Sequence, residues 1–356
     1  NNVILSSTMN IKKGDKIMKK KLVTLFLSGL LVMSLATGCS SKPAEQGTQE
    51  QAAPEAEQTI ASVEKTKVYV TPEWVKSVID KNQPESENYI ILEAAWGTEK
   101  DSPDYLKAHL PGAIHLNTDE IEEPEYWNIR NAEEITAVMS KYGITKDTTV
   151  IVYGPDSGTE RVAFVMLWAG VENVKVLDGG LAAWTEAGYE TEEGNILPTA
   201  TTEEFGVQIP AHPEYVIAMP KDAREAMKAN DKFRLVSIRS LDEFTGKISG
   251  YSYIEKTGEP EGALWGHDEF DYYNEDGTIA DFDKAVQMWS EQGITKENEI
   301  AFYCGTGWRA CVPWLMAYEN GWTNVKLFDG GWFAWQMDET NPVQKITPEE
   351  AAARYN

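Results

Sequence analysis

The chain repeats itself, and this constrains the fold more than any other feature. Gly143-Ile144-Thr145-Lys146 recurs as Gly293-Ile294-Thr295-Lys296, Pro111-Gly112-Ala113 as Glu261-Gly262-Ala263, and Tyr153 as Tyr303, each pair 150 residues apart. Further on, Asn173-Val174-Lys175-Val176-Leu177-Asp178-Gly179-Gly180 with Trp184 returns as Asn324-Val325-Lys326-Leu327-Phe328-Asp329-Gly330-Gly331 with Trp335, now 151 apart. Self-similarity at a fixed period marks a duplicated unit.

Both copies read alike. Thr71-Pro72-Glu73 starts a helix, with a capping threonine and a proline at the first helical position. Tyr89 to Leu92 and Arg234 to Ile238 are short β-rich runs, followed by Thr148 to Tyr153 and Glu299 to Tyr303, then by Val174 to Leu177 and Val325 to Phe328. Helical patterns lie between them, as in Ala132 to Tyr142 and Phe282 to Gln292. Strands alternating with helices predict an α/β fold, each copy a mainly parallel sheet flanked by helices. The expected organisation is a leader (1–38), a polar tether (39–64), a first domain (65–200), a linker (201–213), a second domain (214–345) and a tail (346–356).

The copies differ where chemistry is expected. Ile300 to Tyr303 end in Cys304-Gly305-Thr306-Gly307-Trp308-Arg309, and a helical pattern runs from Ala310 to Tyr318. Glycines here let successive N–H groups turn inward, and the positive end of a following helix adds to the field, so the loop favours an anion and a thiolate. In parallel sheets, ligands bind at the carboxyl ends of strands, where Cys304 falls. The first copy has Gly154 at this place and should serve as a wall of the pocket.

A formal charge of −25 excludes nucleic acid and an anionic membrane surface as partners, because phosphate binders need a basic face. The three cysteines, Cys39, Cys304 and Cys311, are too few for a disulfide framework. His109, His115, His212 and His267 have no ligand-like spacing, so neither a metal ion nor a cofactor is expected.

Lys19-Lys20-Lys21 followed by Leu22 to Ala36 has the charged and apolar regions of a secretory signal. It ends in Leu35-Ala36-Thr37-Gly38-Cys39, which resembles the bacterial lipoprotein box, whose cysteine is lipidated. The expectation is an exported protein held to the envelope by lipid on Cys39, with Ser40 to Glu64 as tether. The competing reading, a transmembrane anchor, meets an apolar run short for spanning. Losing residues 1–38 removes six lysines and one aspartate and leaves 26 basic against 56 acidic residues.

With the Pro-Gly-Ala segment, the tyrosine before the loop and Asp-Gly-Gly followed by Trp, residues 65–345 resemble the tandem rhodanese family of sulfurtransferases. In that family the first domain has usually lost its cysteine. The resemblance implies that the Cys304 thiolate takes sulfane sulfur from a small anionic donor, thiosulfate before mercaptopyruvate, and passes it as a persulfide to cyanide or a thiol. It implies Gly305, Thr306, Gly307, Trp308, Arg309 and Arg239 as substrate-binding residues, Arg239 by its match to the family's Asp-Ala-Arg segment. Two departures stand out: Ser237 replaces the aspartate, and Glu243 stands where a second arginine belongs and should repel an anionic donor. Arg309 is then expected to anchor the anion in its place.

Two alternatives stay open. Cysteine phosphatases also use a thiol, a backbone nest and an arginine, but with five residues between Cys and Arg where this chain has four. A lipid-anchored binding protein without turnover is the other. Cys311 is expected in the core, Trp308 at the pocket mouth or between domains, and Asp178 and Asp329 as backbone anchors of turns.

Overall fold

A computed structural model describes residues 60–355. The signal segment, Cys39 and most of the 39–64 tether lie outside the described residues. The first repeat contains β1 (Tyr69–Val70), α1 (Pro72–Ile79), β2 (Tyr89–Ala95), α2 (Pro103–Lys107), β3 (Ile114–Asn117), α3 (Ala132–Tyr142), β4 (Thr149–Tyr153), α4 (Gly158–Ala169), β5 (Asn173–Leu177) and α5 (Gly180–Glu186). Its sheet runs β1-β5-β4-β2-β3, with every pairing parallel.

The second repeat contains β6 (Val216–Ile217), α6 (Pro220–Ala229), β7 (Phe233–Ser237), α7 (Leu241–Phe244), β8 (Glu259–Pro260), β9 (Leu264–Trp265), α8 (Phe282–Glu291), β10 (Glu299–Tyr303), α9 (Trp308–Glu319), β11 (Val325–Phe328), α10 (Gly331–Met337), β12 (Val343–Gln344) and α11 (Pro348–Tyr355). Its sheet, β6-β11-β10-β7-β9, repeats the first order strand for strand, and β8 and β12 form a separate antiparallel pair. The expected α/β class with two mainly parallel sheets is what the chain adopts. Residues 346–356, expected as a tail, include α11, whose Tyr355 ring packs 5.2 Å from Trp265 and 6.0 Å from Phe244.

Local chemistry explains the elements. Thr71 caps α1 by accepting from the Trp74 N–H at 3.3 Å, and Asn131 and Glu134 form a reciprocal capping box on α3. The central strands β4 and β10 read Thr-Val-Ile-Val-Tyr and Glu-Ile-Ala-Phe-Tyr, nearly continuous apolar runs buried on both faces, as parallel strands require.

The repeats share one core. Helices α4 and α9 pack together about a pseudo-two-fold, so that equivalent residues Phe164 and Trp314 meet edge-on at 4.6 Å. The relation extends to hydrogen bonds: Asp178 accepts from the Ile279 N–H at 2.7 Å, and its counterpart Asp329 accepts from the Ile129 N–H at 2.8 Å. Each repeat thereby holds a loop of the other over the carboxyl ends of its strands. The 201–213 segment is no loose linker, since Phe205 and Ile209 are buried and the His212 N–H donates to Trp168 O at 3.1 Å.

Candidate active site

Strand β10 delivers the chain to Cys304, the first residue past its carboxyl end. Gly307 is left-handed at φ 91° and starts α9, two residues earlier than the apolar pattern indicated, so Trp308 and Arg309 belong to the first helical turn. Gly305 is glycine for another reason: a Cβ there would lie 2.3 Å from Cζ of Tyr251. The Asp-Gly-Gly motif supports the loop from beneath. A Cβ on Gly331 would meet Gly305 O at 2.5 Å and Cys304 O at 2.6 Å, and those carbonyls accept from Phe333 N–H at 3.0 Å and Trp332 N–H at 2.9 Å.

Cys304 is only 1% exposed, and the Tyr251 ring lies against the next residue, Gly305. The Tyr251 hydroxyl accepts from the Gly305 N–H at 2.8 Å and from Nη2 of Arg309. Burial, reinforced by the neighbouring Cys304, holds this phenol well above its ordinary pKa, so it is neutral. The Thr306 and Gly307 amides have no hydrogen-bond partner among the described residues. With the amino end of α9 they are the anion-favouring element beside the thiol.

The charges correct the sequence expectation. Glu243 does not repel: its carboxylate receives Nη1 of Arg309 at 3.0 Å and Nη2 at 2.9 Å, so Arg309 is no uncommitted anion anchor. Burial alone would raise Glu243, but Arg309 and Arg239 lower it to about 2. Arg239, expected among the substrate-binding residues, is fully buried and committed to protein partners. It donates to Glu259 at 2.6 Å, Gly258 O at 3.0 Å, Ser249 O at 2.7 Å and Glu243 at 3.3 Å. Ser237 has no charge to offer Arg239, and Glu259 supplies it from β8 instead. Arg239 therefore fixes the Ser249–Gly258 segment that carries Tyr251.

The first repeat closes the other side. The Trp308 indole N–H donates to Glu122 at 2.9 Å, placing Trp308 between the domains, and the same carboxylate accepts from Nε of Arg161 at 2.8 Å. Arg161, fully buried, also pairs with Asp329 at 2.6 Å. Trp127 packs at 4.8 Å from both Tyr253 and Phe333. Cys311 is buried in α9 and donates to Gly307 O at 3.1 Å; burial raises its pKa far above the ordinary thiol value. Neither Cys304 nor Cys311 is in a disulfide. His109 stacks on Tyr105 and bonds its carbonyl at 2.9 Å, whereas His267 stacks on Trp265 at 4.1 Å.

Sequence reasoning missed Tyr251, Glu259, Glu122 and Arg161. A signal for the first existed: Tyr251-Ser252-Tyr253 is bracketed by Gly246, Gly250 and Gly258, all with positive φ. The others belong to pairings across strands and domains, which no local pattern reports.

Comparison with known proteins decides the family. A rhodanese-like domain model matches residues 71–187 and 219–338. The chain belongs to the rhodanese-like family. The thiosulfate sulfurtransferase YnjE of Escherichia coli is 41% identical over 77% of this tandem rhodanese chain, which spans 64% of that relative's length. A putative thiosulfate sulfurtransferase of Haloferax volcanii is 27% identical over 78% of the chain and 96% of its own length. Among solved structures, YnjE superposes with a TM-score of 0.74 at 40% identity, covering 78% of this rhodanese chain and 68% of YnjE. A cysteine-persulfide form of EanB, in a tetrahedral intermediate state with ergothioneine, gives 0.75 at 34% identity, covering 80% of this chain and 71% of EanB.

Proposed function

We propose that the chain is a rhodanese-type sulfurtransferase working through a persulfide on Cys304. The observation that carries this reading is a single thiol at the carboxyl end of a central strand, beside unpartnered Thr306 and Gly307 amides and the amino end of α9. The Cys304 thiolate attacks the outer sulfur of thiosulfate. A Cys–S–S bond forms, the donor's S–S bond breaks, and sulfite leaves with the electron pair. Cyanide or a thiolate then attacks the outer persulfide sulfur and restores the Cys304 thiolate. The loop amides stabilise the negative sulfur throughout.

Donor entry requires Tyr251 to swing from the Gly305 amide, which also frees one edge of the Arg309 guanidinium. Trp308 contributes by seating the second domain on the first. Arg239 contributes by holding the Tyr251 segment. The phosphatase reading ranks below, because the loop has four residues between Cys304 and Arg309 and the arginine is paired with Glu243.

The test is incubation of the protein and of Cys304→Ser with thiosulfate, followed by mass spectrometry of the loop peptide and a thiocyanate assay. One added sulfur on Cys304 and thiocyanate release, both absent from the variant, are expected. An unmodified Cys304 peptide with no turnover would reject the reading.

Export and lipidation at Cys39 form part of the same proposal, supported by the charged and apolar segments before Leu35-Ala36-Thr37-Gly38-Cys39. The lipid would tether the protein to the envelope. Labelled palmitate incorporated by the wild type and lost in Cys39→Ala, with the protein partitioning to membranes only in the first, is the expected result.

A further inference from the structure

Where the second repeat has its thiol loop, the first repeat has a cavity of about 700 Å³ over the ends of β4 and β5. Five carboxylates line it, Asp156, Glu160, Asp178, Glu269 and Glu275, and no lysine, arginine or histidine does among the described residues. Two buried hydroxyls on its lining, those of Tyr69 (4% exposed) and Thr159 (5%), have no hydrogen-bond partner among the described residues. Thr159 Oγ1 faces the space next to Gly154, 2.7 Å from where a Cβ would sit.

An anion is not what this place takes. Asp156 turns back to accept from the Gly158 N–H at 3.0 Å, so the amino end of α4 already holds a negative charge of its own. Burial raises Glu160 to about 8, as expected of a carboxyl without a counter-charge, since Asp156, Glu269, Tyr69 and Tyr273 face it and none is positive; burial also raises Glu269, to about 7, against the partial pull of Arg309. A single metal ion does not match either, since no three Asp, Glu, His or Cys side chains among the described residues converge on one point. The acidic groups do not converge on one point, and the same lining includes Val176, Leu177, Leu181 and Phe270 as an apolar wall.

We propose that this cavity binds a short aliphatic polyamine. Separated ammonium groups meet separated carboxylates and the orphan hydroxyls, while the methylenes between them lie along the apolar wall. The site is independent of sulfur transfer and uses the repeat that lacks the thiol.

Isothermal titration of the full chain with spermidine tests it, with magnesium chloride as a control for simple charge attraction. Saturable one-to-one binding is expected, weakened at least about tenfold by Glu160→Gln and retained in Cys304→Ser. Absence of saturable heat, binding of many spermidines with equal affinity in Glu160→Gln, or stoichiometric displacement by magnesium would each overturn the proposal. Should thermal melting show Glu160→Gln unfolded, Leu181→Trp, which narrows the cavity from its half-buried rim, decides instead. Its spermidine affinity must fall, and an unchanged value overturns the proposal equally.

Discussion

Arg309 and Glu243 meet in a two-pronged ion pair, Nη1 to Oε2 at 3.0 Å and Nη2 to Oε1 at 2.9 Å, beside the candidate nucleophile. Glu243 is buried and also receives Nε of Arg239 at 3.3 Å, so removing its charge leaves Arg239 with Glu259 and leaves Arg309 with Asp268 at 4.0 Å as its nearest carboxylate. Glu243→Gln is expected to lower unfolding stability by about 3 kcal/mol near neutral pH. The folded carboxyl lies at about 2, below its ordinary 4.5, so its contribution is complete above 4.5 and fades as pH falls toward 2. Denaturant titrations should therefore show wild type and variant converging on acidification; a gap independent of pH would contradict this assignment.

Tyr251 sits on Gly305, the neighbour of a cysteine that is 1% exposed. Tyr251→Ala should uncover the thiol and raise the rate of iodoacetamide labelling at Cys304 by at least about tenfold. Tyr251→Phe keeps the ring and loses only the hydroxyl, so its rate should stay near wild type. Equal rates for all three proteins would mean that something other than this ring covers the sulfur.

The fold was legible because it was written twice. Matching Gly143-Ile144-Thr145-Lys146 to its second copy located equivalent turns, and the apolar runs ending at Tyr153 and Tyr303 located the central strands. Cys304 was legible for the same reason, as the point where two otherwise matching units diverge. The roles of Arg239, Glu243 and Arg309 were not. Their meaning depends on Glu259 and Tyr251 arriving from a segment without helix or strand up to β8, and a row of charges does not say which are paired. Gly305 shows the same limit: the residue was noticed, but its reason is the approach of a ring 54 positions away in sequence.

Gly154 cannot simply be returned to cysteine. A Cβ there would lie 2.2 Å from the carbonyl oxygen of Ala94 and 2.7 Å from Thr159 Oγ1, so strand β2 would have to move. Gly154→Cys is expected to cost about 1–3 kcal/mol, in the range of overpacked cores. Combined with Cys304→Ser it should restore no sulfur transfer. Thiosulfate-dependent labelling of residue 154 in that double variant would show the clash to be relieved more cheaply than the geometry indicates.

The reciprocal aspartates separate a hydrogen bond from a buried charge. Asp178 and Asp329 each hold a backbone N–H of the opposite repeat, at 2.7 and 2.8 Å, so by symmetry alone their loss should cost the same. Asp329, however, is 1% exposed and also pairs with the fully buried Arg161, whereas Asp178 is half-buried and has no such partner. Asp178→Ala removes one charge-assisted hydrogen bond, about 1.5–3 kcal/mol. Asp329→Ala leaves Arg161 with Glu122 alone, a carboxyl that burial already raises to about 7, and should cost more, about 3–5 kcal/mol. Because Glu122 also anchors Trp308, the larger loss should come with looser seating of the Cys304 loop, visible as faster amide exchange at Thr306 and Gly307 in Asp329→Ala than in Asp178→Ala. Equal destabilisation by the two variants would show that Arg161 draws little from Asp329 and that the pseudo-symmetry extends to the energetics.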